Sequence, residues 1–272
     1  MDCYYINLAC ETEKRLLLEK NFEQHNTLNW SLQRFEALDK IFVVDNKVQG
    51  QLSEGAKGCF LSHRELINQK VDSASHLFIV EDDIVFCSKT QNILQKIIET
   101  PDFEWDLLYT DICVPNVSAM IDLFHLKQEC LKTDQLRILD LAEMNFASTA
   151  AYIVNKKSTR KVATILNAMQ HLDTPIDLTY RALVHSGQLK AYVAFPFLTS
   201  LSSRSEDSNI QIEAHAYTEA VWHGFRKLIW MDGNVEDIQN NLRQIEAGTF
   251  SAEAKALSML LGGTLSKNYS VK

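Results

Sequence analysis

Short apolar runs alternate with segments of helical periodicity between residues 3 and 196. Runs typical of β-strands lie at residues 3–8, 32–37, 41–44, 77–80, 106–110, 150–154 and 189–196. Helical spacing of apolar residues is found at residues 11–25, 54–71, 91–99, 159–169 and 176–187. Ser53 and Ser158 are placed as N-caps, and Gly187 is placed to end the helix that precedes it. This alternation of strands and helices predicts an α/β domain.

The pattern changes beyond about residue 208. Three successive helices are predicted at residues 210–230, 234–248 and 251–263. We therefore expect an α/β domain over residues 1–208 and a helical extension over residues 209–272. Within the α/β domain, residues 121–145 lack clean periodicity, and we predict an irregular insertion there, near the edge of the sheet.

The segment AVWHGFRKLIW, at residues 220–230, combines large apolar side chains with the cations Arg226 and Lys227. Such a helix either packs its aromatic side chains onto the domain or lies on an anionic membrane surface. One short helix with two cations is a weak membrane anchor, which favours packing onto the domain.

Composition narrows the classes of protein to which the chain belongs. It has 272 residues, of which 46% are hydrophobic and 23% charged, as in ordinary globular proteins. A formal charge of −8 without a clustered basic face argues against a nucleic-acid partner. The six cysteines show neither paired nor zinc-type spacing, which indicates reduced thiols. No apolar run approaches the ~18 residues of a membrane span, so we expect a cytoplasmic protein.

An acidic triplet, Glu81, Asp82 and Asp83, directly follows the apolar run LFIV. That run has no polar alternation, which predicts a strand covered on both faces, and its carboxyl end is where open α/β sheets bind ligands. Because side chains alternate along an extended chain, we expect Glu81 and Asp83 to face one side and Asp82 the other. Mg²⁺ or Mn²⁺, which prefer oxygen ligands, would offset the repulsion between the carboxylates. A solvated turn after the strand is the alternative.

Five stretches of the chain occur in an order that resembles glycosyltransferase family 25. They are YYINL, GCFLSHR, LFIVEDDIVF, AAYIVNKK and PIDLTYRAL, and they lie within residues 1–210. The family builds bacterial lipopolysaccharide or lipooligosaccharide and includes collagen galactosyltransferases. The resemblance implies a GT-A-type, Rossmann-like α/β fold whose mixed, mostly parallel sheet is flanked by helices. It also implies a nucleotide-sugar donor, most often UDP-galactose, a divalent metal, and transfer with inversion.

The resemblance further assigns roles to residues of this chain. Asp83 is implied as the metal ligand and Glu81 as the second ligand or a water-mediated one, for Mn²⁺ or Mg²⁺. The residues implied to bind the sugar donor are Asn7, Leu8, Arg15, Ser62, His63 and Asp82. The alternative for Arg15 is an exposed arginine on a helix face. The alternative for His63 is a structural histidine held by hydrogen bonds. The chain departs from many relatives at Thr110 and Asp111, where a glycine is common, and at residues 197–203.

Asp177 is the candidate catalytic base. An inverting transfer needs a group that removes the proton of the acceptor hydroxyl, and the resemblance supports a carboxylate at this position. Asp177 follows Pro175 and lies in the first turn of a predicted helix, where the helix dipole stabilises an anion. The same facts describe an ordinary helix cap, which is the alternative.

The predicted function is metal-dependent transfer of a hexose, galactose by resemblance, from a UDP-sugar to an oligosaccharide or glycolipid acceptor of the bacterial surface. Peripheral contact with the cytoplasmic face of the inner membrane is an accompanying expectation. The alternatives are a nucleotide-sugar-binding module without turnover and a Mg²⁺-dependent phosphohydrolase. The phosphohydrolase would need an Asp-x-Asp motif after the first strand, where this chain has Leu8, Ala9 and Cys10.

Overall fold

The protein was analysed as a computed structural model, which describes residues 1–99, 103–202, 224–232 and 251–252. The strands are β1 (Asp2–Asn7), β2 (Leu32–Glu36), β3 (Leu77–Glu81), β4 (Ile84–Phe86), β5 (Leu107–Tyr109), β6 (Arg137–Asp140), β7 (Ala151–Val154), β8 (Ala191–Phe195) and β9 (Thr199–Leu201). The helices are α1 (Thr12–His25), α2 (Lys40–Asp45), α3 (Glu54–Gln69), α4 (Thr90–Glu99), α5 (Val117–Thr133), α6 (Thr159–Asn167) and α7 (Ile176–His185). Most of the predicted helical extension, residues 209–272, lies outside the described residues.

Seven strands form one mixed sheet in the order β2-β1-β3-β7-β5-β8-β6. Strands β2, β1, β3, β5 and β8 run in one direction, and β7 and β6 run opposite to their neighbours. Strands β4 and β9 form a separate antiparallel pair. The expected Rossmann-like, mostly parallel sheet flanked by helices is confirmed.

The central strand β3 is buried on both faces, as its unbroken apolar run predicts. Phe78 packs with Tyr5 in the hydrophobic core on one face of the sheet, and Ile79 packs with Tyr4 in the core on the other. Polar residues at the carboxyl end of β3 therefore lie where the strand leaves the two hydrophobic cores that cover its faces. This position brings the acidic triplet to the carboxyl edge of the sheet.

Helix α3 begins and ends close to the predicted bounds, and its cap is the predicted one. The Ser53 hydroxyl accepts a hydrogen bond from the Ala56 N–H (3.3 Å). Gly58 is required within this helix because a Cβ atom there would lie 2.3 Å from the Leu38 carbonyl oxygen. Gly187 ends α7 as predicted, at a φ of +72° that favours glycine.

Two predictions of secondary structure were wrong. Residues 41–44 form part of α2 rather than a strand, because the Asp39 carboxylate accepts from the Phe42 N–H (2.8 Å) and caps a helix. Residues 121–145 are not irregular, because they contain most of α5 and the strand β6. Strand β6 lies at the edge of the sheet, which agrees with the predicted position of this segment. The periodicity of α5 was obscured because Ile121 and Leu131 are exposed apolar residues.

Ser158 occupies the N-cap position of α6, but its side chain does not cap that helix. Its hydroxyl donates instead to Asp106 Oδ1 (2.5 Å). A charged acceptor in reach makes the stronger hydrogen bond, so the buried carboxylate takes precedence over the helix end.

Candidate active site

A cavity of about 740 Å³ opens at the carboxyl ends of β1 and β3. Its walls come from the ends of these two strands, from α1, from the segment that joins β2 to α2, and from α3. It brings together seven residues that the sequence had marked: Asn7, Leu8, Ser62, His63, Glu81, Asp82 and Asp83. Ligands of α/β sheets bind at this kind of position, and the volume is in the usual range for small-molecule sites.

Glu81 ends β3 and faces helix α3 and the loop before β7. Its carboxylate accepts from the Thr149 hydroxyl (2.9 Å) and lies 3.4 Å from His63 Nε2. Burial acts to raise the pKa of Glu81, but the His63 imidazole and the Thr149 hydroxyl outweigh burial and lower the pKa. Glu81 is therefore held as an anion.

Asp82 turns toward β1. Its carboxylate accepts from Asn7 Nδ2 (2.7 Å), and Asn7 is itself fixed by an Arg34 Nε donor at 3.0 Å from its Oδ1. Burial raises the pKa of Asp82 despite this hydrogen bond. Asn7 thus contributes to the site by orienting Asp82 and lining the cavity.

One oxygen of Asp83 is unsatisfied by the described part of the chain. Oδ1 is buried and has no hydrogen-bond partner among the described residues, although the residue as a whole is partly exposed. Burial, and then the charges of Glu81 and Asp82, raise the pKa of Asp83 to about 7. Orphaned buried oxygens are rare in proteins, and this one lies beside a second carboxylate in an open cavity. These features fit a hard divalent cation held by Asp83 and Glu81.

The charges of Glu81, Asp83 and Asp177 all act on one side chain, that of Cys59. Burial, and then the charges of Glu81, Asp177 and Asp83, raise the pKa of the Cys59 thiol well above its usual value. The predicted base therefore lies in the electrostatic neighbourhood of the predicted metal ligands. Asp82 and Asp83 form the turn between β3 and β4, so the side-chain alternation expected of an extended chain does not extend to Asp83.

Asp177 is held by a strained loop residue. Its Oδ2 accepts from the Ser148 N–H (3.0 Å) and its Oδ1 from the Leu178 N–H (2.8 Å). Ser148 has a φ of +85°, a conformation that non-glycine residues seldom adopt and that clusters at functional sites. The next residue, Thr149, donates to Glu81, so one loop connects the candidate base with the acidic triplet.

The sequence marked Arg226 only as a cation of the segment 220–230, and its place behind the site was not predicted. It belongs to the helical residues 224–229, is only 4% exposed, and donates through Nε to Asp111 Oδ2 (3.0 Å), with a second bond to the same oxygen from Nη2. Nη2 also donates to the Ser148 hydroxyl (3.2 Å), and the charge of Arg226 lowers the pKa of Asp83. The signal in the sequence was Asp111, the acidic residue that departs from the family pattern.

The neighbours of Arg226 confirm that its segment packs onto the domain. Phe225, Leu228 and Ile229 are buried in the core, and Lys127 Nζ donates to the carbonyl oxygens of Leu228 (2.6 Å) and Trp230 (2.7 Å). Packing onto the domain, the favoured interpretation of this segment, holds for its described part. None of the helices in the described ranges combines the length and apolar composition that a membrane crossing needs.

Ser62 and His63 act mainly on the protein itself. The Ser62 hydroxyl donates to the Gly58 carbonyl (2.7 Å) and accepts from the Leu38 N–H (2.8 Å), which fixes the wall of the cavity. His63 stacks on Tyr152 and its Nδ1 lies 3.0 Å from the Tyr152 hydroxyl. Ser62 and His63, from the stretch GCFLSHR, therefore support the wall of the cavity through hydrogen bonds within the protein.

Of the two adjacent cations on α1, Lys14 lines the cavity. Its charge acts to lower the pKa values of Asp82 and Asp83, against the larger effect of burial that raises them. The charge of Arg15 acts on Tyr5 instead. Arg15 is not among the lining residues of this cavity, and its predicted role in donor binding stays a prediction.

Comparison with known proteins points to one class of enzyme. A family model described as glycosyltransferase family 25 (LPS biosynthesis protein) matches residues 1–180. Procollagen galactosyltransferase 1 of Danio rerio is 25% identical over 187 residues, which are 63% of this chain and 29% of that protein. A protein of Acanthamoeba polyphaga mimivirus that carries a provisional glycosyltransferase name is 31% identical over 107 residues, 35% of this chain and 32% of the viral protein. The matches thus span about a third of the length of these relatives.

Proposed function

Because the chain belongs to glycosyltransferase family 25, we propose that it moves a hexose, galactose in the first instance, from a UDP-sugar to a hydroxyl of a bacterial surface glycan such as lipooligosaccharide. The proposal includes dependence on Mn²⁺ or Mg²⁺ and inversion at the anomeric carbon. A nucleotide-sugar donor and a glycan acceptor follow from the family. The galactose preference is supported by the name of the zebrafish relative.

The observation that carries the proposal is the orphaned Oδ1 of Asp83. This carboxylate oxygen lies next to Glu81, just beyond the carboxyl end of a central strand, and has no partner among the described residues, which suits it to a bound ligand. A divalent cation bound there would supply Lewis-acid stabilisation of the departing diphosphate. Asp83 and Glu81 are the residues that would hold it.

The remaining residues have distinct roles in the proposed reaction. Lys14 lines the cavity and contributes positive charge where the diphosphate would bind. We assign Asp82, oriented by Asn7, to accept a hydrogen bond from a hydroxyl of the ribose or of the transferred sugar. The positive charge of Arg226 offsets part of the negative charge of the acidic triplet, while its guanidinium remains hydrogen-bonded to Asp111.

Asp177 is the proposed base. As the acceptor oxygen forms its bond to the anomeric carbon, the bond from that carbon to the diphosphate oxygen breaks and the hydroxyl proton passes to an Asp177 oxygen. The Ser148 N–H holds the carboxylate in place during this step. Attack on the face opposite the leaving group gives inversion.

A screen of nucleotide sugars tests the proposal. UDP release and glycan product are measured for a set of UDP-hexoses with bacterial oligosaccharide acceptors, with and without Mn²⁺. We expect release with UDP-galactose only when the metal is present, and loss of transfer in Asp177→Asn with donor binding retained. Asp173→Asn is the matched control, because Asp173 is an exposed acidic residue that accepts from the Gln51 N–H near the same helix.

Three results of this screen would contradict the proposal. Donor binding without product for any acceptor would indicate a binding module. Turnover of a generic phosphomonoester, added to the screen as a further substrate, would indicate a phosphohydrolase. Full transfer by Asp177→Asn would exclude Asp177 as the base.

A further inference from the structure

Helix α3 and the end of β3 place a thiol, an imidazole and a carboxylate around one point. Cys59 and His63 are one helical turn apart on α3 and project from the same face. Glu81 approaches this face from the end of β3. The Cys59 sulfur, a ring nitrogen of His63 and a carboxylate oxygen of Glu81 all lie within 4.8 Å of one another.

His63 provides an independent indication of a missing ligand. Its side chain is completely buried, and Nδ1 is engaged at 3.0 Å with the Tyr152 hydroxyl. Nε2 lies 3.4 Å from Glu81 Oε1 but makes no hydrogen bond of acceptable geometry with Glu81 or with any other described residue. A second polar partner on the far ring nitrogen is the usual support for a histidine that binds a metal through the other nitrogen.

We propose that Cys59, His63 and Glu81 form a site for a thiophilic divalent cation of the Zn²⁺ class, beside the oxygen site of Asp83. Thiolate and imidazole are ligands that favour Zn²⁺, whereas Mn²⁺ and Mg²⁺ favour oxygen. Zinc bonds of about 2.0–2.3 Å in a tetrahedral arrangement separate ligand atoms by roughly 3.5 Å, so side-chain adjustment of about 1 Å closes the site. Three protein ligands leave the fourth position to water.

Binding changes the protonation of Cys59. When the cation binds, the sulfur forms the bond to the metal as thiolate and its proton is released to solvent. The cation then compensates the charges of both the thiolate and Glu81.

The two sites share Glu81, which gives the second site a consequence for catalysis. This step depends on the proposed function. A cation bound by Cys59, His63 and Glu81 withdraws Glu81 from the cation that Asp83 would hold. Occupancy of the thiophilic site therefore inhibits transfer, and added Mn²⁺ relieves the inhibition.

Co²⁺ is a spectroscopic probe of the site that requires no activity, because thiolate coordination gives a charge-transfer absorption in the near ultraviolet. Metal-free protein is titrated with Co²⁺ and then with Zn²⁺, using wild type, Cys59→Ser and Cys10→Ser. Cys10 is the matched control, since it is an exposed thiol that lines the same cavity. Thermal unfolding without metal establishes that each variant is folded.

We expect one equivalent of Co²⁺ to produce the absorption in wild type and in Cys10→Ser, and Zn²⁺ to abolish it. Cys59→Ser should lose the absorption, and His63→Gln should weaken Co²⁺ binding at least tenfold. No absorption in wild type, or an unchanged absorption in Cys59→Ser, overturns the site.

Inhibition is measured separately as UDP release at increasing Zn²⁺. Wild type should lose activity in a manner that Mn²⁺ reverses, and Cys59→Ser should need at least tenfold more Zn²⁺ to lose half of its own uninhibited rate. Equal sensitivity of the two proteins would overturn the sharing of Glu81. If no donor is turned over while the Co²⁺ absorption is present, the proposed function fails and the metal site stands.

Discussion

Asp83 and Asp106 show two ways in which this fold treats a carboxylate inside its structure. Asp106 precedes β5 at the amino edge of the sheet, and Asp83 follows β3 at the carboxyl edge. Asp106 accepts from the Ser158 hydroxyl (2.5 Å), Lys161 Nζ (2.8 Å) and the Lys190 N–H (2.9 Å). Asp83 Oδ1 accepts from nothing in the described part of the chain.

The two pKa shifts have opposite signs for this reason. Burial acts to raise the pKa of Asp106, but Lys161, Ser158 and the Lys190 N–H outweigh it and lower the pKa. Burial and two neighbouring carboxylates raise the pKa of Asp83 to about 7. A structural charge is compensated by residues of the fold, whereas a charge that serves a ligand is left uncompensated until the ligand binds.

The largest expected effect is on catalysis at the uncompensated carboxylate. Asp83→Asn should reduce transfer by about 1,000-fold, because the Lewis-acid contribution of a metal is several kcal/mol and each ~1.4 kcal/mol is a factor of ten. Its midpoint of unfolding in urea without metal should equal or exceed that of wild type. Asp106→Asn is the control and should show the reverse pattern. A clear loss of stability in Asp83→Asn would remove the contrast.

Arg226→Met should lower the free energy of unfolding by about 3–5 kcal/mol, because Asp111 is left buried without its cation. Replacing both partners, as in Asp111→Leu with Arg226→Met, should restore most of that loss. Urea denaturation of the single and double variants measures both values. Equal midpoints for Arg226→Met and wild type would show that the ion pair does not attach residues 224–229 to the domain.

Asp106→Ala should cost about 3 kcal/mol of unfolding free energy, since it removes hydrogen bonds to a charged group and strands the Ser158 hydroxyl and the Lys190 N–H. The turnover number of the folded fraction should stay within about twofold of wild type. This pair of measurements separates the structural carboxylate from the functional one. A loss of turnover as large as that of Asp83→Asn would make the two equivalent.

The smallest effect is on the pH dependence of stability in the presence of a chelator. The folded protein holds a proton on Asp83 up to about pH 7, whereas an unfolded Asp releases it near pH 4, so the stability of wild type relative to Asp83→Asn falls as pH rises through this window. The pKa of Asp106 is lowered, so its contribution is constant there and is lost only on further acidification. Urea unfolding at pH 5 and pH 8 measures both differences. A constant difference for Asp83→Asn would contradict the raised pKa.

The parts of the site that follow directly from strands were predictable from the sequence. Asn7 and Glu81 end β1 and β3, Asp83 lies in the turn directly after β3, and the position of a strand end in a parallel sheet determines where these side chains emerge. Local chain patterns also contained the Ser53 cap and the Gly187 stop. The metal and base roles themselves remain predictions.

The parts that depend on distant contacts were not predictable. Arg226 and Asp111 are far apart in the sequence, and nothing local indicates that they meet as a buried pair. Residues 41–44 have strand-like side chains, yet they form a helix whose start is capped by a hydrogen bond from the Phe42 N–H to the Asp39 carboxylate. Lys14 rather than Arg15 lines the cavity because the phase of α1 relative to the sheet is a tertiary property.

Binding of Mn²⁺ tests the central claim, that the unsatisfied Asp83 carboxyl is a cation ligand, most directly. Free Mn²⁺ has a sharp electron paramagnetic resonance spectrum that broadens on binding, so titration at pH 8 with UDP present counts bound ions. We predict one ion per chain in wild type and in Asp106→Asn, and none at the same concentration in Asp83→Asn. Uptake by Asp83→Asn equal to that of wild type would contradict the account.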